Sequence, residues 1–179
     1  METLKAIESR KSARDYTERP VEREKLEKVL WAGNRAPLGG AFHMTVILDK
    51  GLLGEIDEAT LSAMKHSDNE FARGRAALPG YRPLYRAPIL IVLSAEDPAR
   101  GMPSVCNAVT AMSLAATDLG LGSCFVASPI QVLGEGGAFF ARLGLPTGYK
   151  PLVGMLLGCA GEEKFGRPRP ATDNVSYVG

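Results

Sequence analysis

Apolar residues recur at helical spacing in four parts of the chain, which predicts four amphipathic helices. These helices cover residues 3–10, 21–34, 52–65 and 105–119. In the first, we expect Leu4, Ala6 and Ile7 to face inward. The second begins after a proline with an acidic first turn, which complements the positive end of a helix dipole. The fourth starts after Ser104, a residue type that caps helix N-termini, and ends at a glycine.

Runs rich in β-branched and apolar residues predict four strands, at residues 43–48, 88–93, 123–127 and 152–159. The second run is continuously apolar, which is typical of a central strand buried on both faces. Residues 132–143 read as a helix interrupted by a glycine-rich stretch, and residues 66–86 as a long loop or lid. The sequence therefore predicts one α+β domain over residues 1–179, with a mixed sheet flanked by helices and an extended tail at 160–179.

The helix predicted at 105–119 is apolar or small around most of its circumference, and its one acidic residue, Asp118, lies near its end. Such a helix needs cover on nearly all sides. In a chain of 179 residues this cover is easier to supply when a second copy packs on one face. The pattern favours a homodimer.

The charge balance excludes several classes of function. Lys and Arg number 21 and Asp and Glu 20, so there is no global basic field for nucleic acid or an anionic membrane.

The two histidines, His43 and His66, have no second ligand at metal-site spacing, so we expect no metal. Three scattered cysteines read as reduced core thiols. Without a signal segment or an apolar run of about 20 residues, the chain is expected to be a soluble cytoplasmic protein.

Common catalytic and nucleotide-binding motifs are missing from the sequence. It contains no G-x-G-x-x-G after a strand, no P-loop and no G-x-S-x-G. The glycines at residues 134–137 are too loosely spaced to form a dinucleotide-binding turn, so a loop or frayed helix is the better interpretation. A doubly wound nucleotide fold and a serine or cysteine triad are therefore both disfavoured.

The candidate chemistry lies in two clusters of cations. Residues 10–14 read Arg-Lys-Ser-Ala-Arg, and a second cluster near the other terminus contains Arg167 and Arg169. Guanidinium groups with a neighbouring hydroxyl are what a bound phosphate needs. Cations after a short helix also simply complement its C-terminus, and from the cluster alone both interpretations stay open.

Six short sequence motifs, in a fixed order along nearly the whole chain, resemble those of the FMN-dependent nitroreductase family. The first motif contains the cationic cluster. The motifs are residues 7–16 (Ile-Glu-Ser-Arg-Lys-Ser-Ala-Arg-Asp-Tyr), Pro20-Val21, Arg35-Ala36-Pro37, Ala87-Pro88, residues 119–124 (Leu-Gly-Leu-Gly-Ser-Cys) and Leu157-Gly158. The resemblance implies a nitroreductase-like fold and an intertwined homodimer, with FMN at each of two interface sites.

The family's Arg-x-Ser-x-Arg/Lys motif matches Arg10, Ser12 and Arg14, with Lys11 at the first variable position. The resemblance implies that this motif holds the flavin phosphate and that Arg14 reaches the pyrimidine end of the ring. A cation there is chemically reasonable, since reduction places negative charge on that side of a flavin.

The resemblance also implies contacts from three other segments. A basic pair near the C-terminus, Arg167 and Arg169, completes the phosphate clamp. Main-chain groups of Phe125, Val126, Ala127 and Ser128 face flavin N5. A loop from the partner subunit, with Pro37, Leu38 and Gly39, lies against the ring. For Tyr81, Arg82 and Tyr85 of the predicted lid two interpretations stay open: neighbours of the ring or substrate, or solvent-side loop residues.

The sequence departs from the family after Pro37. The usual Ser and the downstream Asn-x-Gln-Pro-Trp are replaced by residues 38–45, and Ala127 takes the place of an acid near N5. The hypothesis from the resemblance is an oxidoreductase in which FMN passes hydride from NAD(P)H to an oxidised small molecule of the nitroaromatic or quinone type. No side chain is assigned as catalytic. The departures motivate an alternative, a dimeric flavin-binding protein without NAD(P)H-driven turnover.

Overall fold

The computed structural model describes residues 2–162 and 174–178 and organises them around a four-stranded sheet. The elements in chain order are α1 (Thr3–Ser9), α2 (Arg23–Asn34), β1 (His43–Ile47), α3 (Lys50–Lys65), α4 (Glu70–Ala76), β2 (Ile89–Ala95), α5 (Pro98–Asp118), β3 (Gly122–Val126), α6 (Ile130–Leu133), a 3₁₀ turn (Phe140–Leu143) and β4 (Lys150–Gly158). The α+β class and the four predicted strands are confirmed, and the helix expected at 132–143 is broken by its glycines into two short pieces.

The sheet has the strand order β1-β2-β4-β3, and every neighbouring pair is antiparallel. The expectation of a mixed sheet is therefore wrong for the described strands; a parallel contact occurs at an isolated bridge between Ser12 and Ser123. The apolar run of β2 reports burial on both faces, which is common in parallel sheets, but it does not report strand direction. Here helices cover both faces of an antiparallel sheet.

Two hydrophobic clusters lie on opposite faces of this sheet. Alternate residues of β2 enter them: Leu90 and Val92 pack in the cluster with α3 and α6, while Ile91 and Leu93 pack in the cluster with α2 and α5. All seven residues of β2 are buried, as its apolar run predicts. Because side chains alternate across a strand, one continuous apolar run can build both clusters.

Helix α5 begins seven residues before its predicted start. Pro98 occupies its first turn, and the Asp97 side chain caps it by accepting hydrogen bonds from the N–H groups of Ala99 and Arg100. Ser104 is therefore not the cap; it is buried inside the helix. A proline at the first helical position has a suitable φ and no N–H to satisfy, which explains the earlier start.

One side of α5 stays open within the described chain. Met102, Cys106, Asn107 and Thr110 are exposed there, so burial on nearly all sides is not achieved by one copy. Cys106 was expected to be a core thiol and is exposed, while Cys124 and Cys159 are buried, and all three thiols are free. Alanine-rich helices expose whichever face lacks a partner, because small residues give no strong facial pattern.

Helix α1 also leaves apolar side chains uncovered. Only Ala6 is buried, while Leu4 is 80% exposed and Ile7 48% exposed, so the inward orientation predicted for the last two is wrong within one chain. A helix of two turns can place only one narrow stripe against the body of its own chain.

The segment predicted as a long loop or lid contains helix α4 and a buried turn. Asn69 caps α4 by accepting a hydrogen bond from the Ala72 N–H, and Tyr81, Leu84 and Tyr85 are buried. The glycines and prolines that suggested a loop lie in the middle of this short helix and in the turn that follows it.

No helix in residues 2–162 or 174–178 is long and apolar enough to cross a membrane.

Candidate functional site

The cationic cluster at residues 10–14 lies beside the start of β3 rather than continuing a helix. Helix α1 ends at Ser9, and Arg10 turns into extended backbone. Ser12 then forms a parallel bridge with Ser123, and the Ala13 N–H donates to the Ser123 carbonyl at 2.8 Å. These bonds fix the segment on an edge of the sheet, so its positions are set by main-chain contacts and do not depend on the side chains themselves.

The same segment is also tied to the two residues that follow β4. Tyr16 forms an antiparallel bridge with Ala160, and the Thr17 N–H donates to the Cys159 carbonyl at 2.9 Å. Residues 12–17 thus lie across the ends of two neighbouring strands. The expected tail at 160–179 begins at this bridge, and most of it lies outside the described residues.

Gly122 permits this close approach. A Cβ atom placed there would lie 2.8 Å from the Ala13 Cβ and 2.9 Å from the Ala160 Cβ. Such distances are shorter than normal carbon contacts, so a side chain at this position would push the cationic segment away from β3. The glycine is needed for space, since no left-handed φ is recorded for it.

We expect Gly122→Ala to lower the free energy of unfolding by about 1–3 kcal/mol, because the added methyl overpacks a contact between backbone segments. Urea denaturation measures this change. Gly74→Ala is the matched control: a Cβ there meets nothing within 4 Å inside α4, so it should raise stability by about 0.5–1 kcal/mol. Equal stability of wild type and Gly122→Ala would contradict the close packing of residue 13 on β3.

Three residues of the cluster act electrostatically on the buried thiol of Cys124, at the middle of β3. Burial raises the pKa of this thiol above its usual value. The positive charge of Arg14 opposes the shift most strongly, followed by a hydrogen bond with Ser12 and the charge of Arg10. Arg10, Ser12 and Arg14 thus all act on one buried thiol, and the Arg14 guanidinium also donates to the Ser12 carbonyl at 3.5 Å. Lys11 is exposed.

Arg14 borders a cavity of about 240 Å³ between the cationic segment and the turn at residues 79–86. Arg82, Tyr85 and Arg86 line its other side. Sequence reasoning left Arg82 and Tyr85 open as ring neighbours or solvent-side residues; Tyr85 is buried and Arg82 half-buried at this wall. The walls carry three guanidinium groups and one carboxylate, from Asp15, which suits an anionic or electron-rich group.

Sequence reasoning missed Arg75, which lies beneath this wall on α4. Its guanidinium donates to the Tyr85 hydroxyl at 3.0 Å and stacks over the Tyr81 ring at 4.9 Å, and the two tyrosine rings meet edge to face. Burial raises the pKa of Tyr81, so its hydroxyl stays protonated. Asn69 is a residue type that caps helices, so the sequence did contain a signal for a helix in this segment. Because the segment was interpreted as a lid, the position of Arg75 on that helix was not predicted.

Tyr16 adds a buried polar group to the same region. Its hydroxyl has no hydrogen-bond partner among the described residues. Its pKa is raised, first by burial and then by the neighbouring Cys124 and Tyr85. The hydroxyl is therefore a neutral donor close to the cationic segment.

The predicted ring-side segment, at the end of β3 and just beyond it, is partly accessible. Phe125 is 47% exposed, Val126 is buried, Ala127 is exposed and Ser128 is half-buried. Strand β3 is at the end of the strand order, so one of its edges faces away from the sheet. Main-chain groups on such an edge remain available to a ligand.

The segment at Pro37, Leu38 and Gly39 is exposed and is anchored on α5. The Ser104 hydroxyl accepts hydrogen bonds from the N–H groups of Gly39 and Gly40, both at 2.9 Å, and Asn107 donates to the Pro37 carbonyl at 3.2 Å. Ser104 thus fixes a loop instead of capping a helix. The placement of this loop against a partner's ring stays a prediction, and Arg167 and Arg169 lie outside the described residues.

Comparison with known proteins places this arrangement in a family. The model of the nitroreductase family matches residues 7–159. The chain belongs to the nitroreductase family. No curated protein matches the chain significantly. The matched range includes the cationic segment, the loop on α5 and the whole sheet.

Solved nitroreductase structures resemble the chain over its full length. One from Desulfitobacterium hafniense with bound FMN is 28% identical, with a TM-score of 0.87 and complete coverage of both chains. Another from Bacteroides fragilis, also with bound FMN, is 26% identical with a TM-score of 0.83, covering 100% of this chain and 99% of that one. The family resemblance recognised from the short sequence motifs is therefore confirmed.

Proposed function

We propose that the chain binds FMN and is an FMN-dependent oxidoreductase that passes hydride from NAD(P)H to an oxidised small molecule of the nitroaromatic or quinone type. The observation that carries this proposal is the cationic segment 10–14, fixed on the edge of β3 by main-chain hydrogen bonds. The FMN in the related solved structures supports the choice of cofactor.

The residues of the described site fit such a cofactor. Arg10 and Ser12 offer a guanidinium and a hydroxyl to the phosphate, which are strong phosphate ligands. Arg14 places positive charge beside a cavity, where it stabilises the negative charge that a reduced flavin carries on its pyrimidine side. Residues 125–128, at the end of β3 and just beyond it, present main-chain groups to the ring.

FMN, when bound, supplies hydride acceptance and donation at N5. The protein's own groups orient the ring and stabilise its reduced form, so no side chain has to act as acid or base. The neutral hydroxyls of Tyr16 and Tyr81 and the protonated Cys124 thiol carry no negative charge into this region. These three groups therefore leave the positive charge of Arg10 and Arg14 uncancelled.

Anaerobic reduction tests the proposed reaction. Purified protein loaded with FMN should be yellow, its flavin absorption should bleach on adding NADH or NADPH, and a quinone or nitroaromatic should restore the colour. Protein that stays yellow with both donors would favour the alternative, a flavin-binding protein without turnover. The absence of the family's Asn, Gln and Trp after Pro37 is the reason for considering that alternative. Protein that takes up no FMN would contradict both.

We propose further that the active unit is a homodimer. Large apolar side chains remain uncovered on α1, α2, α5 and the loop before β1: Leu4, Ile7, Trp31, Leu38 and Met102. Exposed apolar surface of this extent marks contact sites between proteins.

Analytical ultracentrifugation should therefore give twice the chain mass of 19.1 kDa. Trp31→Glu together with Leu38→Glu should shift the protein toward monomer, because charges replace side chains that are 65% and 59% exposed in the single chain. Phe71→Glu is a control on another exposed aromatic residue, on α4. A monomeric wild type at micromolar concentration would contradict the proposal.

A further inference from the structure

A second cavity, of about 420 Å³, lies between α3 and the turn that precedes β2. Its inner wall is apolar and buried, with Leu53, Leu84 and Ala87, while charged and exposed residues form its rim. An apolar floor with a few polar groups at the mouth is the usual construction of a small-molecule site, and the volume lies within the range of such sites.

The charges around this cavity do not cancel. The Asp57 carboxylate is occupied: it accepts hydrogen bonds from the Arg82 guanidinium and from the Leu84 N–H, the latter at 2.7 Å. Lys50 and Arg86 also line the cavity, and neither has an ion-pair partner among the described residues. Glu18 alone opposes them, so the rim carries an excess of positive charge.

The backbone at this wall is strained. Tyr85 and Arg86 both have positive φ values, 50° and 60°, a left-handed conformation that is costly for side chains other than glycine. These two are the non-glycine residues with positive φ in the described chain. Strained backbone persists where the surroundings hold it, and it clusters at ligand sites. Here it belongs to the residue that contributes an unpaired guanidinium to the cavity rim.

None of the described clamp, ring-side or loop residues lines this cavity. Arg82 and Arg86 border both this cavity and the smaller one beside Arg14, so the two cavities are neighbours. We propose that it binds a small organic carboxylate, in addition to the cofactor. The carboxylate lies between Lys50 and Arg86, and the apolar body packs on Leu53 and Leu84. A guanidinium recognises a carboxylate with two parallel hydrogen bonds, which a neutral amide cannot accept equally well.

Calorimetric titration of the purified full-length chain, with FMN added, tests this proposal. The probes are 2-naphthoate and its neutral counterpart 2-naphthamide. We expect wild type to bind the acid at least about 10-fold more tightly than the amide, and Arg86→Gln to weaken the acid by about 10-fold or more, since hydrogen bonds to charged groups are strong. The affinity for the amide should not change. Arg100→Gln, a distant exposed arginine on α5, should leave both affinities unchanged.

Arg86→Gly separates binding from folding. Glycine adopts a φ of 60° without cost, so this variant should melt about 2–4 °C above wild type while it loses affinity for 2-naphthoate. Unchanged affinity for the acid in either Arg86 variant would overturn the proposal. A naphthoate-induced shift of the flavin absorption band in both wild type and Arg86→Gln would place the acid on the flavin and overturn it as well. Both outcomes leave the proposed reaction standing.

Discussion

Arg10→Ala should release FMN from a folded protein. Arg10 begins the segment that is fixed on β3, and its charge lies close enough to Cys124 to act on that thiol. A charge-assisted hydrogen bond to a phosphate contributes about 1.5–3 kcal/mol, so the dissociation constant for FMN should rise by about 10- to 100-fold. Equilibrium dialysis against FMN measures the change.

The main-chain bonds of Ser12 and Ala13 do not involve the Arg10 side chain, so the variant should keep the melting temperature of the apoprotein. Lys5→Ala supplies the matched control, since Lys5 is an exposed cation on α1 one turn earlier and borders no cavity at the site. If both variants retained flavin like wild type, the phosphate would have to be placed elsewhere.

Asp57→Ala should destabilise the fold at least as strongly as Gly122→Ala. The Asp57 carboxylate is buried on α3 and binds both the Arg82 guanidinium and the Leu84 N–H, which joins α3 to the turn before β2. Alanine leaves a buried N–H unpaired and removes the partner of a half-buried guanidinium. Breaking such a pair costs about 3 kcal/mol. Urea denaturation followed by circular dichroism measures this loss.

Glu58→Ala is the neighbouring control. Glu58 also approaches Arg82, at 3.8 Å, but its side chain is 74% exposed, so its removal should change stability by less than about 1 kcal/mol. A similar, small effect of both substitutions would show that the Asp57 pair is screened by water and does not hold the turn in place.

Much of the sheet could be predicted because its strands report their environment directly. The run at β2 is apolar at almost every position, since both faces of the strand are covered, and the predicted bounds differ from the observed ones by only one or two residues. Strand direction was not predictable in this way. Hydrophobic pattern records which faces are buried, whereas direction depends on the connections between strands.

Helix α4 and the start of α5 escaped prediction for local reasons. Gly74 suggests a loop, but it lies inside the short helix α4, where a Cβ would meet nothing within 4 Å. Pro103 suggests a helix start near residue 105, but it lies inside α5, five residues after Pro98. The cap residues Asn69 and Asp97 carried the missing signal.

The candidate site was predictable where residue identity determines the chemistry. The cations at 10–14 and the family motifs around them predict the phosphate clamp, which stays a prediction; in the structure Arg10, Ser12 and Arg14 all act on one buried thiol on β3. The Arg75 cluster and the role of Ser104 depend on contacts between residues distant in sequence. Such contacts leave no pattern in a single sequence.

We expect segment 10–14 to bind the phosphate of FMN. Titration of the apoprotein with FMN and with riboflavin, which lacks the phosphate, tests it directly through the quenching of flavin fluorescence. We expect FMN to bind at least about 100-fold more tightly than riboflavin, since several charge-assisted hydrogen bonds depend on the phosphate. Equal affinity for the two flavins would contradict the account.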